Sequence, residues 1–167
     1  MLKRKLGNSD TIVSAVGIGA MSFTNFYGQT DEIASHKILT NALDYDINHI
    51  DTSNVYGMGH SETVIGNFLA KQGKQKNSLF KIATKASISK NVETGEREFN
   101  NSEPHLRNEL DNSLKRLGIE YVDLFYIHRR DPNYEIEQVV ETLKKFIKEG
   151  KIKTFGFSEI APSSLDR

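Results

Sequence analysis

In LKRLGIEYVDLFYIHRRDP, residues 114–132, a helix ends, a buried strand runs and a histidine stops it. Leu114 and Leu117 close an apolar stripe that begins at Leu106 and Leu110, and Gly118 supplies the stop that a helix C-terminus favours. Ser102 stands where the N-cap of that helix belongs. VDLFYIH, 122–128, is then an apolar run of about the length of a buried strand.

The same unit recurs on either side. Apolar runs occur at VGIGAM (16–21), INHID (47–51), LFKIATK (79–85) and IKTFGFS (152–158). Helix-spaced stretches separate them. Over 31–44, Ile33, Ala34, Ile38, Ala42 and Leu43 share a side, with Thr30 as the expected N-cap. Val64, Ile65, Phe68 and Leu69 do so over 61–70. Ile136, Val139, Val140, Leu143, Phe146 and Ile147 do so over 135–149, closed by Gly150. APSSLDR begins a further helix. Strand–helix alternation with short turns implies parallel strands and right-handed crossovers. An open doubly wound sheet and a (β/α)8 barrel both satisfy it. LKRKLGNSDTIVS at the start reads as a hairpin turning at Gly7-Asn8-Ser9-Asp10, which could cover the bottom of a barrel. A complete barrel takes about 250 residues. About five units in one domain over residues 1–167 therefore fit a barrel cut short.

Composition narrows the function. The 22 Lys+Arg balance 22 Asp+Glu, with 37% hydrophobic and 26% charged residues, so a folded core is expected and nucleic acid or an anionic membrane is not. No apolar stretch approaches the roughly 18 residues of a membrane span. The basic start, MLKRKLGNSDTIVS, lacks the apolar segment of a signal peptide, so a cytoplasmic protein is expected. The absence of cysteine excludes disulfides and thiolate chemistry. The segments 17–22 and 57–62 begin like a dinucleotide-binding glycine loop, but Ser22 and Glu62 stand where its third glycine belongs. No histidine pair has zinc-helix spacing, so no metal site is expected, and Asn100-Asn101-Ser102 is a sequon without a secretory signal.

Four polar residues stand at or just past strand C-terminal ends: Asp51, Tyr56 in the loop behind it, Lys85 and His128. In an α/β barrel those ends share the face on which active sites are built. Singly, Asp51 reads equally well as a loop cap, Lys85 as a solvated strand end and His128 as a satisfied core histidine. Together they suit proton delivery to a carbonyl oxygen. A phenol donates the proton, an ammonium beside it favours the phenolate, a carboxylate holds the ammonium and an imidazole orients the carbonyl.

The chain resembles the aldo-keto reductases over its whole length. The resemblance rests on LKRKLGNSDTIVSAVGIGAM, HIDTSNVYGMGHSETVIGNFL, KIATK, LKRLGIEYVDLFYIHRRDP and GKIKTFGFSEIAPSSL, in that order. It implies an α/β (β/α)8 TIM barrel, NADPH as cofactor and reversible reduction of a small-molecule aldehyde or ketone. The family's catalytic tetrad maps onto Asp51, Tyr56, Lys85 and His128, with Tyr56 as general acid, Lys85 salt-bridged to Asp51 and His128 binding the carbonyl. Gly19, Ala20 and Met21, with Asp51, map onto cofactor contacts. Ser158 maps onto a carboxamide contact, and Glu159 replaces a frequent Asn, as in the pyridoxal reductase-like branch. Phe23, Phe26, Tyr27 and Arg129 are candidate pocket residues. A full member carries three more units, which supply a glutamine, a stacking aromatic ring and the loop that grips the 2′-phosphate. The expectation is a truncated reductase that alone holds NADPH weakly and self-associates through exposed barrel edges. The alternative is a non-catalytic remnant, or part of a split protein that needs another chain.

Overall fold

A computed structural model of the chain describes residues 1–91 and 93–166. Strands β1 (Lys3–Lys5) and β2 (Ile12–Ser14) form the expected antiparallel hairpin. Asn48 fastens it to the N-terminal end of the main sheet, accepting from Ser14 N at 2.7 Å and donating to Ile12 O at 3.2 Å.

There follow β3 (Ile18–Gly19), a 3-10 turn (Ala20–Thr24), α1 (Glu32–Asp44), β4 (His49–Asp51) and α2 (His60–Ala70). A second 3-10 turn (Gly73–Gln75) leads into α3 (Lys76–Leu79) and β5 (Lys81–Ala86). Next come β6 (Ile88–Lys90), β7 (Arg97–Phe99), α4 (Glu103–Leu117), β8 (Val122–Ile127), α5 (Ile136–Lys148), β9 (Ile152–Phe157) and α6 (Pro162–Leu165). The five-stranded sheet runs β3-β4-β5-β8-β9, every pairing parallel. These are five consecutive units of the barrel type.

Register sorts the two faces. Asp51 lies beside Ala83, Ala83 beside Leu124 and Lys85 beside Tyr126. Period-two alternation therefore puts Asp51, Lys85 and Tyr126 on one face. Ile50, Ile82, Phe125 and Ile127 take the other, where they join Leu39, Val64, Leu69, Leu106, Leu110 and Phe146 of the helices in one core. Gly66 lets α2 lie directly on the end of α4: a Cβ there would sit 2.1 Å from Arg116 O. Beneath that contact the carboxylate of Glu62, wholly buried, accepts from Thr84 Oγ1 at 2.5 Å and Arg116 Nε at 2.7 Å.

Three expectations are corrected. The run at 16–21 is strand only over Ile18–Gly19. Ser22 and Thr24 hydroxyls donate to the carbonyls of Gly19 and Met21, three residues back, at 3.0 and 2.7 Å, which stabilises a 3-10 turn instead. Helix α1 is capped by Asp31, whose Oδ1 accepts from Ala34 N at 2.7 Å, not by Thr30. Its buried residues are Ser35, Leu39 and Ala42, whereas Ile33 is 80% and Ile38 44% exposed. His36 fixes that rotation, its Nε2 lying 2.9 Å from Val64 O and its ring edge-on to Phe68 of α2. The β6–β7 hairpin is an addition to the strand–helix alternation that the sequence shows. Helix α4 has the expected Ser102 cap and Gly118 stop. Among the described residues no helix is long and apolar enough to cross a membrane.

Candidate active site

The C-terminal ends of β4, β5 and β8 bring Asp51, Lys85 and His128 together, and the loop after β4 returns Tyr56 over them. That loop is held tightly. Tyr56 N donates to Ser53 O at 3.1 Å and Tyr56 O accepts from Ser61 N at 3.2 Å, at the start of α2. Gly57 and Gly59 both have positive φ, 58° and 89°, and a Cβ at residue 59 would meet the Arg116 side chain at 2.7 Å. Met58 between them is left-handed as well, φ 54°, so glycine at 57 and 59 limits the strain of the turn to one residue.

Lys85 is 6% exposed, and its ammonium is saturated. It donates to Asp51 Oδ1, to Thr52 O at 2.7 Å and to Tyr56 Oη at 3.1 Å. Three donors meet three acceptors, so the charge is fully partnered. Because Lys85 donates to the phenol oxygen, the phenol proton is left for another acceptor.

His128, 7% exposed, packs edge-on to Tyr56 with ring centroids 6.0 Å apart. Its Nδ1 is 3.1 Å from Ser53 Oγ. Burial pushes the imidazole down to about 4, helped by the positive charges of Lys85, Arg129 and Arg97. The ring is therefore neutral at pH 7, and the Ser53 contact leaves Nε2 for the cavity.

Tyr56, Lys85 and His128 line a cavity of about 580 Å³ together with Met21, Phe26, Arg129, Ser158 and Glu159, while Asp51 stands behind Lys85 and outside the cavity wall. Glu159 has φ 50°, a left-handed conformation that Asn adopts more readily than Glu, and its carboxylate pairs with Arg129 at 2.8 Å. Of the other residues singled out in the sequence, Gly19 is exposed and Ala20 is wholly buried, its carbonyl accepting from Ser61 Oγ at 2.8 Å. Phe23 is a core residue, 1% exposed, and Tyr27 is 73% exposed; neither lines the cavity, whereas Phe26 and Arg129 do. Ser53, the partner of His128, was missed although it lies between Asp51 and Tyr56. Arg97 and Ile88 of the cavity wall were missed with their hairpin.

Residues 15–167 match the Aldo/keto reductase family. The chain is 40% identical over 164 residues to the aldo-keto reductase yakc of Schizosaccharomyces pombe, whose name specifies NADP(+). That match takes in 98% of this chain and 47% of the relative. A probable aldo-keto reductase of Glycine max is 34% identical over the same length, with 46% of it covered. An aldo-keto reductase from Bacillus halodurans, solved in its holo form, superposes with TM-score 0.85 at 30% identity, over 99% of this chain and 53% of that one. A glycerol dehydrogenase from Gluconobacter oxydans gives TM-score 0.83 at 28% identity, over 98% and 50%. The chain thus spans about half the length of the relatives it matches.

Proposed function

The chain belongs to the aldo/keto reductase family, and from that membership we propose that its cavity performs reversible, NADPH-dependent reduction of an aldehyde or ketone to an alcohol. One observation carries the reading: Lys85 Nζ reaches both the Asp51 carboxylate and Tyr56 Oη, the latter at 3.1 Å.

The substrate carbonyl oxygen accepts the Tyr56 proton. As the proton leaves, negative charge forms on the phenol oxygen, where the Lys85 ammonium already donates. Such preorganised stabilisation of developing charge is effective because no solvent has to reorient. Asp51 and Thr52 O hold the ammonium in place. Neutral His128 orients the carbonyl. The tautomer that does so carries its hydrogen on Nε2, donates it to the same oxygen and accepts from Ser53 Oγ at Nδ1. In the alcohol-to-carbonyl direction the phenolate takes the proton back.

The polar groups of the cavity fit the nicotinamide end of NADPH, which when bound supplies the hydride to the carbonyl carbon. The Ser158 hydroxyl and Glu159 carboxylate suit a carboxamide, and next to the cavity the partly exposed Asp51 carboxylate keeps an oxygen that does not face Lys85 and suits a ribose hydroxyl. Met21 offers an apolar side chain at the same wall.

The test joins this chain to the C-terminal half of a matched relative and follows aldehyde-dependent NADPH oxidation at 340 nm. The parent turns over. Lys85→Met, which removes the charge beside the phenol, loses on the order of 10²-fold or more in rate. A parent that consumes no NADPH, or a Lys85→Met variant as fast as the parent, contradicts the reading.

A further inference from the structure

The register of the β6–β7 hairpin sets Lys90 directly opposite Arg97. Like charges opposed across an antiparallel pair repel one another. Among the described residues neither has an ion-pair partner; the Arg97 guanidinium lies over the Phe99 ring, 5.4 Å from its centroid. Glu98, next along β7, is turned to the other face by alternation and takes hydrogen bonds from Ser89 and Asn91 there. The hairpin therefore presents two uncompensated cations side by side.

They stand at a boundary between two cavities. Val55, Ile88 and Arg97 line both the catalytic cavity and a second one of about 510 Å³. Lys90, Arg97 and Arg116 border the second cavity against one carboxylate, Glu109, which accepts from Asn54 Nδ2 at 2.7 Å. Arg116 is itself committed to Glu62. Lys90 and Arg97 are thus the cations left for a ligand, and Val55 and Ile88 are the apolar residues that the wall beside them shares with the cavity of Tyr56.

We propose that the substrate taken by this site is an aldehyde or ketone that also carries an anionic group, a carboxylate or a phosphate, which docks on Lys90 and Arg97. The inference rests on the reading of the first cavity as a carbonyl-reducing site and specifies its substrate class. An anion there neutralises the repulsion across the hairpin and receives charge-assisted hydrogen bonds.

Binding to the chain itself tests this without turnover. The chain is titrated, with and without NADPH, with 4-carboxybenzaldehyde, 4-formylphenyl phosphate and the neutral 4-methylbenzaldehyde, following backbone amide shifts. At least one charged aldehyde binds about tenfold tighter than the neutral one, as one charge-assisted contact supplies, and the tighter of the two identifies the anion. Arg97→Gln, and separately Lys90→Gln, abolishes most of that preference. Lys90→Gln removes the like-charge opposition and leaves the Arg97–Phe99 contact in place, so a thermal melt of that free variant is no lower than that of the parent. Equal affinities, absence of binding by both charged aldehydes, or a preference that survives both substitutions overturns the inference. Preference without reduction in the 340 nm assay would instead contradict the reading of the reaction, and reduction without preference would contradict the substrate class alone.

Discussion

His128 makes the protein lose stability in mild acid by an amount that can be worked out. In the unfolded chain its imidazole takes a proton near the ordinary 6.5, whereas in the folded chain burial and three neighbouring cations hold it at about 4. Between those values the unfolded state binds the extra proton, so stability falls as pH falls from 6.5 to 4 and is fully present above 6.5. At 1.36 kcal/mol for each pH unit, the whole interval corresponds to about 3.4 kcal/mol. The ring borders an open cavity, and solvent screening there reduces the expected loss to about 2 kcal/mol. Urea unfolding at pH 7, 6, 5 and 4.5 measures it, provided the m value stays constant. The same series on His128→Asn cancels the contributions of the carboxylates and the other histidines. The parent should lose about 2 kcal/mol more than the variant, with the gap opening below pH 6.5. Parallel curves for the two proteins would refute the assignment of His128 as a buried, neutral imidazole.

Two further substitutions test how α2 is held against the sheet and α4. Arg116→Met leaves the wholly buried Glu62 carboxylate without its cation and should cost about 3 kcal/mol in urea unfolding, the range for breaking one side of a buried pair; a loss below about 1 kcal/mol would show that Thr84 alone satisfies it. Gly66→Ala puts a methyl 2.1 Å from Arg116 O, a backbone atom that cannot turn aside, and should cost about 3 kcal/mol through separation of α2 from α4; an unchanged unfolding midpoint would mean that the two helices are not in that contact.

The order of the five units was legible because β4, β5, β8 and β9 are each an apolar run bounded by helix patterns. Helices α2 and α4 were placed by their stripes and, for α4, by Ser102 and Gly118. What failed was local. The face of α1 was misread because Ile33 and Ile38 are apolar yet exposed; the contact of His36 with α2, which no periodicity encodes, decides its rotation. The 3-10 turn at Ala20–Thr24 depends on serine and threonine side chains bonding backwards, which a hydropathy pattern does not register. The β6–β7 hairpin has three-residue strands on either side of a turn, too short for the alternation of Ile88-Ser89-Lys90 and Arg97-Glu98-Phe99 to stand out. Asp51, Tyr56, Lys85 and His128 were visible as polar residues at strand ends, a position the barrel turns into proximity. Ser53 and Arg97 were not, since a buried serine and an arginine in a three-residue strand look like any others until the fold sets them near His128.

The central claim is that the Tyr56 proton reaches the carbonyl oxygen beside the Lys85 ammonium. Tyr56→Phe tests it most directly, since it keeps the ring and removes only the proton donor. The single-turnover rate of aldehyde reduction in the joined protein, at saturating NADPH, should fall by about 10²–10⁴. A rate within twofold of the parent would contradict the claim.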